Sequence, residues 1–433
     1  MWLGRGSWAV LDQALFAGSN FTVNILMARW LPQEQYGAFV VTYSAFLLLG
    51  AFHTAALTQP MLVFGAGRYR ETFSHYLALL LYGHVGIATT VSLIMCVPAA
   101  IAWAIASPEL GQAFAGLAVA SPFILAVWLL RRAFYVPAQP DRAATGGALY
   151  LVLTLGGIYG VQRADALSPF TAFVVMGVAS LPVGIWFIYL LRPQWRRAGS
   201  TLTREAVLID HWGYTKWSGP TVAMVWIPEN SYYVLLPAWA GLDGSAALRA
   251  AMNFALPALH LHAALGVLLV PLFVRTLQRV NGWETLSHLV KSLLVLFMVT
   301  SACYWSILAV FGGYLLDHLY GGRYSECTSL LGIVGLLPLA TGSVCVLGGV
   351  LRAAERPDYI FWCYVASGLT TLTLGLLLAG TNGIAGSVIG ILVSSATLAG
   401  GMGWGYSKCT KEARRVSAEA SAGRADGLRM TIA

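Results

Sequence analysis

The sequence predicts an all-α polytopic membrane protein of about twelve transmembrane helices, arranged as two six-helix bundles that form parallel repeats around a central cleft. Three observations carry this reading. The 433 residues are 58% hydrophobic and only 10% charged. Many apolar windows exceed the roughly 18 residues that mark a membrane span. The second half of the chain also repeats landmarks of the first in order. A water-soluble core of this size needs a polar shell that 26 basic and 18 acidic residues do not supply.

In chain order, the windows run Trp8 to Trp30, Phe39 to Phe64, Leu77 to Ala106, Gly111 to Arg131, Ala143 to Val161 and Pro169 to Leu191 in the first half. The second half has Trp217 to Trp239, Ala246 to Val274, Leu289 to Phe311, Cys327 to Leu351, Ile360 to Leu378 and Gly383 to Tyr406. The expected organisation is a first bundle over 1–191, a cytoplasmic linker over 192–216, a second bundle over 217–406 and a basic tail over 407–433. The tail is rich in small residues and is expected to be disordered and to touch anionic lipid. The first window is long, carries Asp12 and Asn20 and lacks a small-residue cleavage site. It reads as an anchor rather than a cleaved signal peptide.

The net charge of +8 could suggest nucleic acid, so its distribution matters. Along alternate loops, one side holds only Arg29, Arg163, Arg249 and Arg323, which leaves 22 of the 26 basic residues on the other. This is the positive-inside pattern. It places both termini on the cytoplasmic side and makes the basic balance a report of orientation rather than of a nucleic-acid partner. The six cysteines, Cys96, Cys303, Cys327, Cys345, Cys363 and Cys409, lack metal-ligand spacing and fall mostly in apolar windows. They read as small packed hydrophobes, and no metal or other cofactor is expected.

The longest polar connection, Arg192 to Lys216, leaves six windows on each side and invites a repeat test. An ungapped shift of 209 positions lays Trp8 on Trp217, Leu26 on Leu235, Trp30 on Trp239 and His53 on His262, with Asn20 on Glu229. "ETFSH" at Glu71 then meets "ETLSH" at Glu284 at offset 213, and "AQPDR" meets "ERPDY" through Pro140 and Pro357 at offset 217. A drift in one direction is what loop insertions produce. Six spans return the chain to its starting side, so the copies would share one orientation, with a site near the bilayer midplane where they meet.

Polar residues inside these windows are the candidate site. A charged carboxylate at the centre of a membrane helix costs about 2.5 to 3.5 kcal/mol on insertion scales, so Glu229 is expected to face a cavity or protein. At about 100° per residue, Trp226, Glu229 and Tyr233 share a helix face, with Asn230 at its margin. Pro220, Pro228 and Pro237 leave carbonyls without helical donors, which membranes tolerate only beside a cavity or partner. On the first helix Asp12, Gln13, Asn20 and Asn24, together with Ser19, lie within an arc of about 140°. Hydrogen-bonded helix glue is the alternative use of the same groups. His53 and His262 are pseudo-equivalent, with His260 near the latter, and their spacing suits packing better than metal. Arg29 and Arg249 sit at outer helix ends, and Arg131 and Arg132 at inner ones, where snorkelling anchors are common. Glycine runs such as "TGGALYLVLTLGGIYG" lack a Walker lysine and read as close-packing surfaces.

The run "LDQALFAGSNFTVNILMARWLPQEQYGAFVVTYS", Leu11 to Ser44, resembles the opening of the bacterial polysaccharide flippases, O-antigen and exopolysaccharide translocases of the multidrug/oligosaccharidyl-lipid/polysaccharide exporter superfamily. The carriers are the polar first helix, the short loop and the "YG" step at Tyr36 and Gly37. The resemblance implies transfer of an undecaprenyl-pyrophosphate-linked oligosaccharide across the bacterial inner membrane. Its implied partners are that glycolipid, membrane lipid, and polysaccharide polymerase and export machinery. Relatives often place arginine within the central cleft, whereas the basic residues here cluster toward helix ends, leaving Arg29, or Arg131 and Arg132 during substrate loading, for the pyrophosphate. Asn20, Asn24, Asn230 and Trp226 would line the glycan path, and Asp12 and Glu229 are candidate ion couplers. A cation-coupled multidrug or metabolite antiporter on the same scaffold is the alternative. A membrane glycosyltransferase, polymerase or ligase ranks below both, because external links are short and no paired-carboxylate or metal site is evident.

Overall fold

The computed structural model describes residues 2–195, 202–279 and 281–432, and the described chain is helical throughout, without strands. Residues 196–201 of the expected linker, with Arg196 and Arg197, and Ala433 of the expected tail lie outside the described residues. Nine described helices are long and apolar enough to cross a membrane. The windows at Trp8 and Trp217 are not among them, because the polar stripes that mark these two helices also lower their hydropathy. The last two windows form one run, Pro357–Ala413, broken at Gly383, whose φ of 55° ends the helix where the sequence places a turn.

The chain divides into two compact units. The first comprises Met1–Asn253, Leu316–Ser325 and Ala379–Ile384, and the second Phe254–Leu315, Glu326–Leu378 and Ala385–Ala433. The first unit contains α1 (Trp2–Trp30), α2 (Gln33–His53), a π turn (Thr54–Thr58), α3 (Gln59–Ala66), α4 (Phe73–Ala104), α5 (Pro108–Ala133), α6 (Pro140–Arg163), α7 (Pro169–Leu191), α8 (Arg204–Leu235) and α9 (Pro237–Met252). α5 packs on α4 and α7, and α1 on α6. A Cβ at Gly177 would lie 2.9 Å from Ala120 Cα, so α7 reaches the α5 backbone only as glycine. In the same unit Tyr76, Leu77, Leu130, Phe134, Val183 and Phe187 form a buried core.

The second unit contains α10 (Leu256–Leu277), most of α11 (Gly282–Tyr320), α12 (Thr328–Val334), α13 (Leu337–Ala353), α14 (Pro357–Thr370) and most of α15 (Leu376–Ile432). Phe273, Val290, Phe297, Val346, Val350 and Met402 lie in its core. α10 packs on α13, where His262 lies 3.1 Å from Thr341 Oγ1. Helical conformation continues in α15 to Ile432, through the segment whose composition suggests disorder. Its alanines, glutamates and arginines are good helix formers in their own right.

The two-repeat reading is consistent with where the helices break. Six of the ten described residues with positive φ fall in pairs: Ala106 and Gly321, 215 positions apart; Ala138 and Glu355, 217 apart; and Asp165 and Gly383, 218 apart. These offsets continue the drift from 209 to 213 to 217 seen in the sequence. The middle pair matches in detail. Gln139 and Arg356 cap the following helices with φ/ψ of −116°/58° and −114°/59°, and each is followed by proline at the first helical position.

Candidate functional site

The polar residues of α1 fall at three depths. Asn24, Asn20 and Asp12 lie six, ten and eighteen residues before Trp30. At 1.5 Å per residue they are about 9, 15 and 27 Å from the end of the helix. Asn24 Nδ2 donates to the carbonyl of Asn20 at 2.9 Å, and Tyr43 on α2 donates to Asn20 Oδ1 at 3.4 Å. Asn24 Oδ1 accepts from Arg249 Nε at 3.2 Å. The Arg249 guanidinium also lies over the Tyr233 ring, 5.3 Å from its centroid. A cation thus sits inside the first unit, among α1, α2, α8 and α9.

The local sequence explains how Arg249 gets there. Pro237 lacks an N–H, so the Tyr233 carbonyl loses its helical donor. Ser245 Oγ replaces it at 2.9 Å and ties α9 back onto α8. Gly241, with φ of 65°, breaks α9 after its first turn and lets the rest of it fold back. Close packing then fixes α9 against α2: a Cβ on Gly37 would stand 2.0 Å from the Leu242 carbonyl oxygen. The "YG" step of the sequence is therefore a backbone contact. Tyr36 beside it is fully buried and accepts from Asn253 Nδ2 at 3.3 Å.

α8 is bound to α2 along its length. A π turn pairs each carbonyl with the N–H five residues on, and for Ala55 that position is Pro60, which has none. Thr215 Oγ1 at 3.3 Å and Ser218 Oγ at 3.4 Å donate to this carbonyl instead. His211 Nδ1 lies 2.7 Å from the next carbonyl, Ala56, and its Nε2 lies 2.6 Å from the Tyr76 hydroxyl. Higher on the helix, Trp226 Nε1 donates to the Ser44 carbonyl at 2.9 Å. Glu229 follows. Pro228, Asn230 and Tyr233 around it are buried, while Glu229 is exposed and has no hydrogen bond or ion pair among the described residues.

Of the residues singled out in the sequence, Asn20, Asn24, Trp226, Glu229, Asn230 and Tyr233 share the α1, α2 and α8 region of the first unit. Asp12 is elsewhere. It is fully buried at the opposite end of α1, where Oδ2 accepts from Arg131 Nη1 at 2.9 Å and from the Tyr135 hydroxyl at 2.7 Å. Gln13 is exposed beside it, and its Oε1 accepts from Arg132 at 3.3 Å. His53 is buried against His84, with Nε2 and Nδ1 3.0 Å apart. Arg29 is exposed at the end of α1, and His260 is exposed on α10 in the second unit.

Sequence reasoning missed Arg249 as an interior group, together with Tyr43, Asn253 and His84. The signal was present for two of them: Arg249 and Asn253 lie four residues apart on one helix face, inside an apolar window. The assignment of Arg249 to an outer helix end followed from counting loops, which overlooks the kink at Gly241.

No protein-family profile matches the chain, and no curated protein sequence matches it either. Solved structures do. A multidrug resistance MATE family transporter of the MOP superfamily in an inward-facing conformation matches with a TM-score of 0.74 at 14% identity, covering 92% of this chain and 95% of that one. The eukaryotic MATE transporter AtDTX14 matches with a TM-score of 0.66 at 16% identity, covering 95% and 98%. A MOP superfamily transporter from Pyrococcus furiosus, described as having a binding pocket of reversed polarity, gives 0.65 at 12% identity over 94% of each chain. The chain has the multi-pass membrane fold of the MATE transporters of that superfamily.

Proposed function

We propose that this chain is a transporter that moves an undecaprenyl-pyrophosphate-linked oligosaccharide across the bacterial inner membrane by alternating access, for surface polysaccharide assembly. The observation that carries the reading is Arg249, held inside the first unit by Asn24 and Tyr233. A pyrophosphate wants a guanidinium, because charge-assisted bonds to its oxygens are about twice as strong as neutral ones. A glycan wants amides and aromatic faces, which Asn20, Asn24, Tyr43, Trp226 and Tyr233 provide beside that cation. The polyprenyl tail can stay in lipid. The fold supports transport rather than glycosyl transfer, and on this reading both termini are cytoplasmic, and a polymerase and export machinery act downstream.

The test is translocation of a lipid-linked oligosaccharide in proteoliposomes, read by the access of an added glycosidase to the glycan. Arg249→Gln is expected to lower the rate at least about tenfold, with Arg249→Lys retaining part of it. Equal rates in wild type and Arg249→Gln overturn the assignment.

One observation favours a second reading, a cation-coupled antiporter of organic cations. Glu229 is accessible and without an ion pair among the described residues, and the structural matches include multidrug resistance transporters. A deletion strain that loses surface polysaccharide and keeps its drug susceptibility rejects this alternative. Glu229 also remains the candidate coupler: if Glu229→Gln leaves the proton or sodium dependence of transport unchanged, it does not couple.

A further inference from the structure

The far end of α1 carries a cluster that the interior site does not use. Asp12 is 0% exposed and Arg131 4%. Their ion pair is closed from the side by the Tyr135 hydroxyl and from beneath by the Phe16 ring, 4.1 Å from the guanidinium. Even so, Asp12 Oδ1 and Arg131 Nε have no hydrogen-bond partner among the described residues. Unpaired polar atoms at a buried ion pair are costly. Arg132, half-buried beside them, has a neutral partner, the Gln13 amide oxygen at 3.3 Å, and lies over the Tyr135 ring at 5.3 Å. One carboxylate against two guanidiniums leaves a net positive charge.

Two ordinary explanations account for part of this. Basic residues at the last turn of α5 complement the helix dipole, and long side chains at helix ends snorkel. Neither requires Arg131 to be buried, nor a second arginine to be held by an amide and an aromatic ring.

We propose that Arg132 and Gln13, with the Tyr135 ring supporting the Arg132 guanidinium, form an anion site at this end of α1 and α5 that takes a phosphate or diphosphate group, with the buried Asp12–Arg131 pair as the positioning element beside it. The Arg132 fork supplies parallel N–H donors, and the Gln13 amide group supplies another once its oxygen is released from Arg132. That the diphosphate belongs to the transported glycolipid rests on the reading above. The anion site itself does not.

The full-length Arg249→Gln protein in phosphatidylcholine nanodiscs isolates this end of the molecule from the interior cation. It is titrated calorimetrically with inorganic pyrophosphate and, separately, with farnesyl diphosphate. Both are expected to bind, and adding Arg132→Gln is expected to weaken them at least about tenfold, whereas Arg132→Lys costs less. Gln13→Glu serves as a second variant that truncates nothing: a carboxylate beside Arg132 neutralises it and is expected to weaken binding equally. Farnesyl diphosphate binding at least about tenfold tighter marks a lipid-borne ligand. Equal affinities mark a soluble one, and either result supports the site. Absence of binding to both probes, or affinities that ignore Arg132→Gln and Gln13→Glu, overturns it. Arg132-dependent binding without glycolipid translocation would leave this site standing and remove the transport reading. Arg249-dependent translocation without Arg132-dependent binding would do the reverse.

Discussion

Asp12 shows how one buried charge can hold several elements. Its carboxylate meets α5 through Arg131 and the segment after it through Tyr135, while Gly147 on α6 leaves room beside Oδ1. Removing one partner of such a pair strands the other in a low-dielectric interior. Asp12→Asn keeps the shape and is expected to destabilise the protein by about 3 kcal/mol, whereas Asp12→Asn with Arg131→Gln recovers much of the loss. Thermal unfolding in detergent reads both, and equal melting of the single and double variants would contradict the argument. Asp12, Asn20, Asn24 and Glu229 were legible in the sequence because a polar side chain in an apolar window must be explained. Their partners were not. Arg131 is a helix-end cation until α1 is folded against it, and His84 is an isolated histidine until α4 brings it to His53.

α8 illustrates the element scale. The sequence marks Trp217 to Trp239 as a span and the residues before it as linker, since Glu205, Asp210 and Lys216 break the apolar pattern. The structure carries one helix from Arg204 to Leu235. Val207, His211, Thr215 and Ser218 recur every three or four residues, and the polar members of this face meet the π turn and α4. The pattern was hidden because its meaning depends on the orphaned Ala55 carbonyl at the π turn, which no hydropathy window records. Before the span, Asp210 accepts from Arg68 at 2.5 Å and from the Tyr69 hydroxyl. Burial pushes its carboxyl up, but the Tyr69 and Arg68 hydrogen bonds and the Arg68 charge outweigh this and hold it below the ordinary value. A depressed folded value means the clasp stabilises above the unfolded value of about 3.9, and this contribution fades as pH falls through the folded value. The difference in melting temperature between wild type and Asp210→Asn is therefore expected at neutral pH and should shrink below about pH 4. A difference independent of pH would show that Asp210 acts through packing alone.

At the scale of the molecule, composition and period gave the spans, and an ordered series of weak matches gave the repeat. The repeat was legible because insertions shift an offset without erasing it. The assignment of short segments to packing units was not, since it depends on contacts far apart in sequence. Leu316–Ser325 lies in the second half of the chain but clusters with the first unit. Gln33 Nε2 donates to the Arg323 carbonyl at 2.6 Å, and Arg323 Nη1 donates to the Leu31 carbonyl at 2.5 Å. Beneath them Asn253 donates to Tyr36 and Tyr320, and Tyr320 donates to the Ala250 carbonyl at 3.1 Å. This segment straps the α1–α2 turn to the end of α9. On the transport reading proposed above, with this end as the one that releases substrate, alternating access opens it, so the strap is expected to part once in each cycle. Cysteines replacing Gln33 and Arg323, in a background where the exposed Cys96 and Cys303 are serine, should join on oxidation or with a short thiol cross-linker. Joining is expected to abolish translocation, and reduction of the disulfide to restore it. Cross-linked protein that transports at the full rate would mean that the strap stays closed throughout the cycle and that substrate leaves by another route.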